Sequence, residues 1–252
     1  MTAPATRVMF LGQPLDPLDM AATVEAIGSH IDAGTPGAHL GVNAANLVMA
    51  HDDPAYGADL AAADLVTADG QSVVWGARLF GIAVPERVTG IDLMEALLAI
   101  AGPRGWSIYL LGARPEVVAR LAERLTARGV AVAGFRDGYF GADDGPAVAD
   151  AVRDSGAQLC FVGTPSPQKE RFIIGTARPA GVPFSIGVGG SFDVLAGELR
   201  RAPSLVQRMG MEWVFRLLQE PRRLFRRYAV TNTRYVGLML GAAARRRPRT
   251  AR

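Results

Sequence analysis

WSIYLLGARPEVVARLAERLTARGVAVAG, residues 106–134, contains one complete unit of the fold: an apolar run (106–112), a helix-length segment (115–128) and a second apolar run (130–134). Pro115 suits a first helical turn, where the backbone N–H has no intrahelical acceptor to lose. Val117, Val118, Leu121 and Leu125 follow at core spacing for a helix, and Gly129 supplies the stop. Apolar run, turn, helix and apolar run in succession is the signature of parallel strands joined by crossover helices. Outward from this stretch the alternation continues, with runs at 8–12, 39–42, 65–67, 159–163 and 183–188 and a further helix over 143–155. The expected class is α/β with a largely parallel sheet.

The chain has 252 residues, 49% of them apolar, which is enough for one large domain, or one domain with an appendage. Its single cysteine, Cys160, lies in the apolar run 158–162, so a disulfide framework is excluded. Core packing in a reducing compartment is the expectation for it. Residues 1–17 do not read as a signal peptide, because Gln13, Pro14 and Asp16 interrupt their short apolar stretch. The longest apolar stretch, 235–244, is ten residues, far short of the roughly 20 a membrane span needs.

A net charge of +3 conceals an asymmetry. Residues 200–252 carry 14 Arg against Glu212 and Glu220, a net +12, leaving 13 basic and 22 acidic residues, −9, for the rest. Residues 200–210 read as a connector, 211–218 as a helix, and Pro221 opens another helix running toward Leu240. In the last, Leu224, Phe225, Tyr228, Tyr235, Val236 and Met239 alternate in groups with Arg222, Arg223, Arg226, Arg227 and Arg234. Such an amphipathic, arginine-rich helix suits an anionic headgroup surface, where each basic residue contributes about 1 kcal/mol. A solvated face packed on the core, or nucleic-acid binding, would give a similar pattern; a membrane partner without nucleic acid is the expectation. The whole is expected to be a Rossmann-like sheet domain over 1–198 with a basic helical appendage over 199–252.

In parallel sheets of this class ligands bind beyond the carboxyl ends of the strands. The residues there are Asn43, Asp69 with Gly70, residues 112–114, residues 164–170 (Thr164, Gln168, Lys169 and Glu170 among them) and residues 187–193. The turn SIGVGGSFD, 185–193, places Gly187, Gly189, Gly190 and Ser191 where a phosphate could approach backbone N–H groups. It matches neither the dinucleotide fingerprint nor the Walker pattern, and a plain tight turn would look the same. Asp69 is open to two roles: capping the next helix, or accepting a hydroxyl proton during an inverting sugar transfer. His30, His39 and His51 are scattered and no metal site is expected. Arginines, Arg87 and the tail cluster, are the cations available to a departing diphosphate.

Taken in order, these segments resemble the WecG/TagA/CpsF glycosyltransferase family over almost the whole chain. The likeness is carried by Asn43-Ala44-Ala45-Asn46-Leu47 with Asp53-Pro54, Ala63-Asp64-Leu65-Val66 through Asp69-Gly70, Pro85-Glu86-Arg87-Val88-Thr89-Gly90-Ile91-Asp92, Tyr109-Leu110-Leu111-Gly112 and Gly138-Tyr139-Phe140. It continues through Gly187-Val188-Gly189-Gly190-Ser191-Phe192-Asp193, Arg201-Ala202-Pro203, Glu212-Trp213 and Glu220-Pro221-Arg222-Arg223. The resemblance implies an inverting, metal-independent bacterial enzyme without a cofactor. Such an enzyme moves a hexose or N-acetylhexosamine, often N-acetylmannosamine, from a UDP-sugar to a polyprenyl-diphosphate-linked sugar. It would work peripherally on the cytoplasmic face of the membrane, in cell-surface polysaccharide or teichoic acid synthesis. The resemblance also implies Asp69 as general base, Asn43 in the pocket, and Arg87 with Arg216, Arg223 and Arg226 on the diphosphate. Two positions depart from the family pattern. Gly41 replaces a threonine and so lacks a hydroxyl, and Lys169 aligns with a pocket glutamine and adds a cation. The rivals are a non-catalytic module binding a nucleotide or anionic lipid, and a nicotinamide-dependent oxidoreductase. The missing Gly-x-Gly-x-x-Gly turn after the first strand argues against the second rival.

Overall fold

The computed structural model describes residues 6–246. Its first apolar run departs from the expected pattern: β1 (Val8–Phe10) pairs antiparallel with β2 (Gln13–Leu15) in a separate two-stranded sheet. Leu11 (φ 49°) and Gly12 (φ 81°) both sit in the left-handed region, which is the backbone of the tight hairpin turn whose twist matches its strands.

After α1 (Met20–Asp32), six parallel strands form the main sheet. They are β3 (Gly37–Val42), β4 (Leu65–Ala68), β5 (Ile108–Gly112), β6 (Val132–Arg136), β7 (Leu159–Gly163) and β8 (Phe184–Gly187), in the spatial order β4-β3-β8-β7-β5-β6. β4, β5 and β8 are buried at every position, as strands covered on both faces must be, whereas the edge strand β6 alternates.

Helices complete both layers. On one face, α1, α5 (Gly90–Arg104), α6 (Pro115–Ala127) and α9 (Ser191–Leu195) enclose a cluster built on Ile27, Leu97, Leu121 and Phe192. Val117, Val118, Leu121 and Leu125 all point inward, as their spacing predicts. On the other face lie α2 (Ala44–Asp52), α3 (Pro54–Ala62), α4 (Gln71–Leu79), α7 (Gly145–Asp154), α8 (Gln168–Phe172) and a π-helical turn (Ile173–Ala177). Cys160 is buried in this second cluster, where burial pushes its thiol up to about 12.

The hairpin closes one edge of the sheet. Asp16 imitates a neighbouring strand on β4: its N–H donates to Val66 O at 2.7 Å and its carboxylate accepts from Val66 N at 2.7 Å. Arg7 holds that carboxylate at 2.8 Å.

Beyond α9 the chain forms α10 (Ser204–Arg208), α11 (Glu212–Gln219) and α12 (Pro221–Arg246). The stretch 200–210 therefore contains a short helix where a plain connector is expected. α12 lies along α2 and α4. Tyr235 is buried and its hydroxyl donates to Ser72 O at 2.9 Å. That hydroxyl sits over Gly76, where an added Cβ would meet it at 2.4 Å. Arg234 pairs with Asp52. Tyr235 and Met239, counted on the amphipathic face in sequence, thus pack on the core, while Phe225, Val236 and Leu240 stay exposed. The side chains of Arg223, Leu224 and Arg227 lie outside the described residues.

Candidate functional site

Because β4, β3, β8 and β7 are consecutive in the sheet, their carboxyl ends bring Asp69, Asn43, the glycine turn and the 164–170 segment side by side. After β4 the N–H groups of Asp69 and Gly70 both donate to Val42 O, at 2.9 and 3.2 Å, drawing this turn against the end of β3. Gly70 is the N-cap of α4 and no side chain caps that helix, so the capping role open to Asp69 in sequence is not the one it takes. Its Oδ1 instead accepts from Gly90 N at 3.3 Å, and the residue keeps partial exposure.

Glycine at 70 is required by close approach. An added Cβ would lie 2.9 Å from Asn43 Cβ and 3.1 Å from Asn43 Cα, so Gly70→Ala is expected to lower stability by about 1–3 kcal/mol, measured by urea unfolding. Gly41 also faces the site: a Cβ there would meet Asp69 Cβ at 3.0 Å, so glycine leaves room beside the carboxylate. Asn43 is partly committed elsewhere. Its Oδ1 caps α2, accepting from Ala45 N at 2.9 Å and Asn46 N at 3.3 Å, and Asn46 returns the bond.

Three charges bear on Asp69 from separate elements. Burial raises its pKa above the usual carboxylate range; Lys169, Arg87 and the Gly90 N–H oppose the rise, and Glu212 adds to it. Arg87 is held close because Val88 N donates to Ala68 O at 2.9 Å. Its guanidinium pairs with Glu212 of α11 at 2.6 Å, the two side chains 15% and 19% exposed.

Lys169 enters from α8, its stem lying over Gly187, where an added Cβ would meet Cδ and Cε at 3.0 Å. Its Nζ sits 3.1 Å from Glu170 Oε1, which also accepts from Ser166 Oγ at 2.8 Å. Beneath, His39 Nε2 lies 2.9 Å from Thr67 Oγ1, and burial followed by the Lys169 charge lowers the ring to about 3, keeping it neutral.

The glycine turn after β8 places Gly189 in the left-handed region, at φ 52°. Ser191 Oγ donates to Val188 O at 2.7 Å, so this hydroxyl braces the turn. Arg216 of α11 reaches the turn: its Nη2 is 2.6 Å from where a Gly190 Cβ would stand. No acid pairs with Arg216 among the described residues.

Not every expected residue joins this group. Gln168 Nε2 donates to Phe140 O at 3.1 Å and ties down the 138–140 loop. Thr164 is buried, its hydroxyl without a hydrogen-bond partner among the described residues and its methyl against Gly138. Arg226 is exposed on α12, and the side chain of Arg223 lies outside the described residues. Sequence reasoning assigned no role to Glu212 or to Arg201, whose guanidinium pairs with Asp92 and, at 3.4 Å, with Glu95 on α5. The available signal was that Glu212 precedes Arg216 by one helical turn.

The ensemble offers an aspartate of partial exposure, guanidinium groups and a glycine turn at the carboxyl end of the sheet. Among the described residues no group of three or more His, Cys, Asp and Glu is placed to hold a metal ion, and no helix is long and apolar enough to cross a membrane. The family model described as the glycosyl transferase WecG/TagA/CpsF family matches residues 8–249.

Proposed function

We infer the reaction from family membership and site geometry together: the chain belongs to the WecG/TagA/CpsF glycosyltransferase family, and so is a glycosyltransferase of cell-surface polysaccharide synthesis. The donor in this reading is a UDP-linked hexose or N-acetylhexosamine resembling N-acetylmannosamine, and the acceptor a sugar hydroxyl on a polyprenyl diphosphate. Asp69 takes the proton of that hydroxyl as its oxygen bonds to the donor's C1 from the face opposite UDP. The bond from C1 to the β-phosphate oxygen breaks and UDP leaves, with inversion at C1. Charge developing on the diphosphate is met by Arg87 and Arg216 beside the glycine turn 187–191. Asn43, Lys169 and Glu170 are assigned to the sugar side, and Gln168 shapes it through the 138–140 loop, which Thr164 packs against.

The observation that carries this reading is that the charges of Lys169, from α8, and Arg87, from the loop before α5, both act on Asp69, with Arg216 over Gly190. Residues 1–198 form the catalytic unit and 199–252 the appendage, which lays exposed Phe225, Val236 and Leu240 and its arginines on the inner face of the membrane. The test is a panel of UDP-sugars assayed for UDP release with a short-chain polyprenyl-diphosphate sugar. One donor should support release that depends on the acceptor. Saturable UDP binding with no release from any donor would favour a non-catalytic binding module.

A further inference from the structure

Four cations, Arg87, Lys169, Arg201 and Arg216, are drawn toward one end of the sheet. Lys169 has Glu170, and Arg201 has Asp92 and Glu95. Arg87 has Glu212, which arrives on α11, the same helix that one turn later carries Arg216 to the glycine turn. A diphosphate seeking Arg87 therefore meets a guanidinium already occupied by a carboxylate at 2.6 Å, in a pair that solvent barely reaches.

Glu212 also has somewhere else to go. Its other carboxylate oxygen, Oε1, lies 3.9 Å from Arg201 Nε, which is buried and has no hydrogen-bond partner among the described residues. A buried N–H without an acceptor is unfavourable, and a shift of about 1 Å toward it would complete a charge-assisted hydrogen bond, whose usual length is about 2.7–2.9 Å. The carboxylate stands between two guanidinium groups, ion-paired with one at 2.6 Å and 3.9 Å from the other, as a two-position element should.

We propose that Glu212 is an internal stand-in for the donor's diphosphate: it holds Arg87 in the empty enzyme, yields it when the nucleotide arrives, and moves onto Arg201 Nε. This rests on the UDP-sugar reading above. Glu212 is a positioning residue in this scheme. It keeps Arg87 aimed at the site and ties the seating of α11, with Arg216, to occupancy of the donor site. The exchange lowers apparent donor affinity, because the binding-competent arrangement is only part of the empty population.

The experiment is calorimetric titration of UDP into the full-length protein and into Glu212→Gln and Glu212→Ala, with circular dichroism to verify folding. Removing the competing charge is expected to tighten UDP binding about tenfold, the size of effect expected when a competing state is removed. A residue that merely braces the fold would leave affinity unchanged or weaken it. Equal or weaker binding in folded Glu212→Gln overturns the proposal. If neither variant folds, Glu212→Asp, whose shorter side chain loosens its hold on Arg87, is expected to tighten binding a few-fold, and unchanged affinity there overturns the proposal equally. Failure of the unmodified protein to bind UDP at all would instead overturn the UDP-sugar reading itself.

Discussion

Asp69→Asn is expected to reduce turnover by about 10²–10⁴-fold, the usual contribution of a positioned general base, while UDP still binds and the protein melts at the same temperature or higher. Asparagine keeps the shape and the oxygen that accepts from Gly90 N, but it cannot take a proton. The stability sign follows from the raised pKa, caused first by burial. A carboxyl whose folded pKa exceeds its unfolded value of about 3.9 costs stability once ionised, above the folded pKa, and that cost disappears as pH falls through it. A neutral isostere removes the cost at neutral pH. The same shift places the acid limb of kcat/KM above the ordinary aspartate range, with activity falling as pH drops through it. A folded Asp69→Asn protein turning over within a few-fold of the original would remove Asp69 as base.

Ending the chain after Glu198 is expected to lower activity by at least about 10³-fold, since loss of one preorganised charge-stabilising donor already costs about 10²–10³. The truncation removes Arg216 from the glycine turn and Glu212 from Arg87 together. Binding to anionic vesicles, followed by sedimentation, should disappear with it. The structure adds a third consequence. Tyr235 and Met239 cover Gly76 and Phe10, so the shortened protein bares an apolar strip on α2 and α4 and should melt at a lower temperature than the full chain. Vesicle pelleting that survives truncation would locate the membrane surface elsewhere.

Local sequence carried most of the fold because buried parallel strands are continuous apolar runs with punctuated ends, and 65–67, 159–163 and 183–188 are bounded that way. The hairpin escaped for a local reason. Gly12 suits such a turn, but Leu11 before it adopts a left-handed backbone where Asn, Asp or Gly is the usual signal. The site divided along the same line. Asp69 and the glycine turn were legible because the ends of parallel strands converge wherever the strands are neighbours. Glu212 was not, since its meeting with Arg87 is decided by how α11 folds back across the sheet. Gln168 shows the converse: adjacent in sequence to Lys169, it turns away to Phe140. In α12 period alone cannot say which apolar residues face protein, and Tyr235 and Met239 do.

The mimicry of a strand by Asp16 at β4 makes the sheet directional in what it can join. At the opposite end β6 pairs only with β5 among the described residues, and its Phe135 is 49% exposed. Exposed backbone rows are what lets sheets polymerise. Within the six-stranded sheet only the β6 margin lacks a neighbour among the described residues, so a union of two copies edge to edge through β6 would use up the free row that each brings from that sheet.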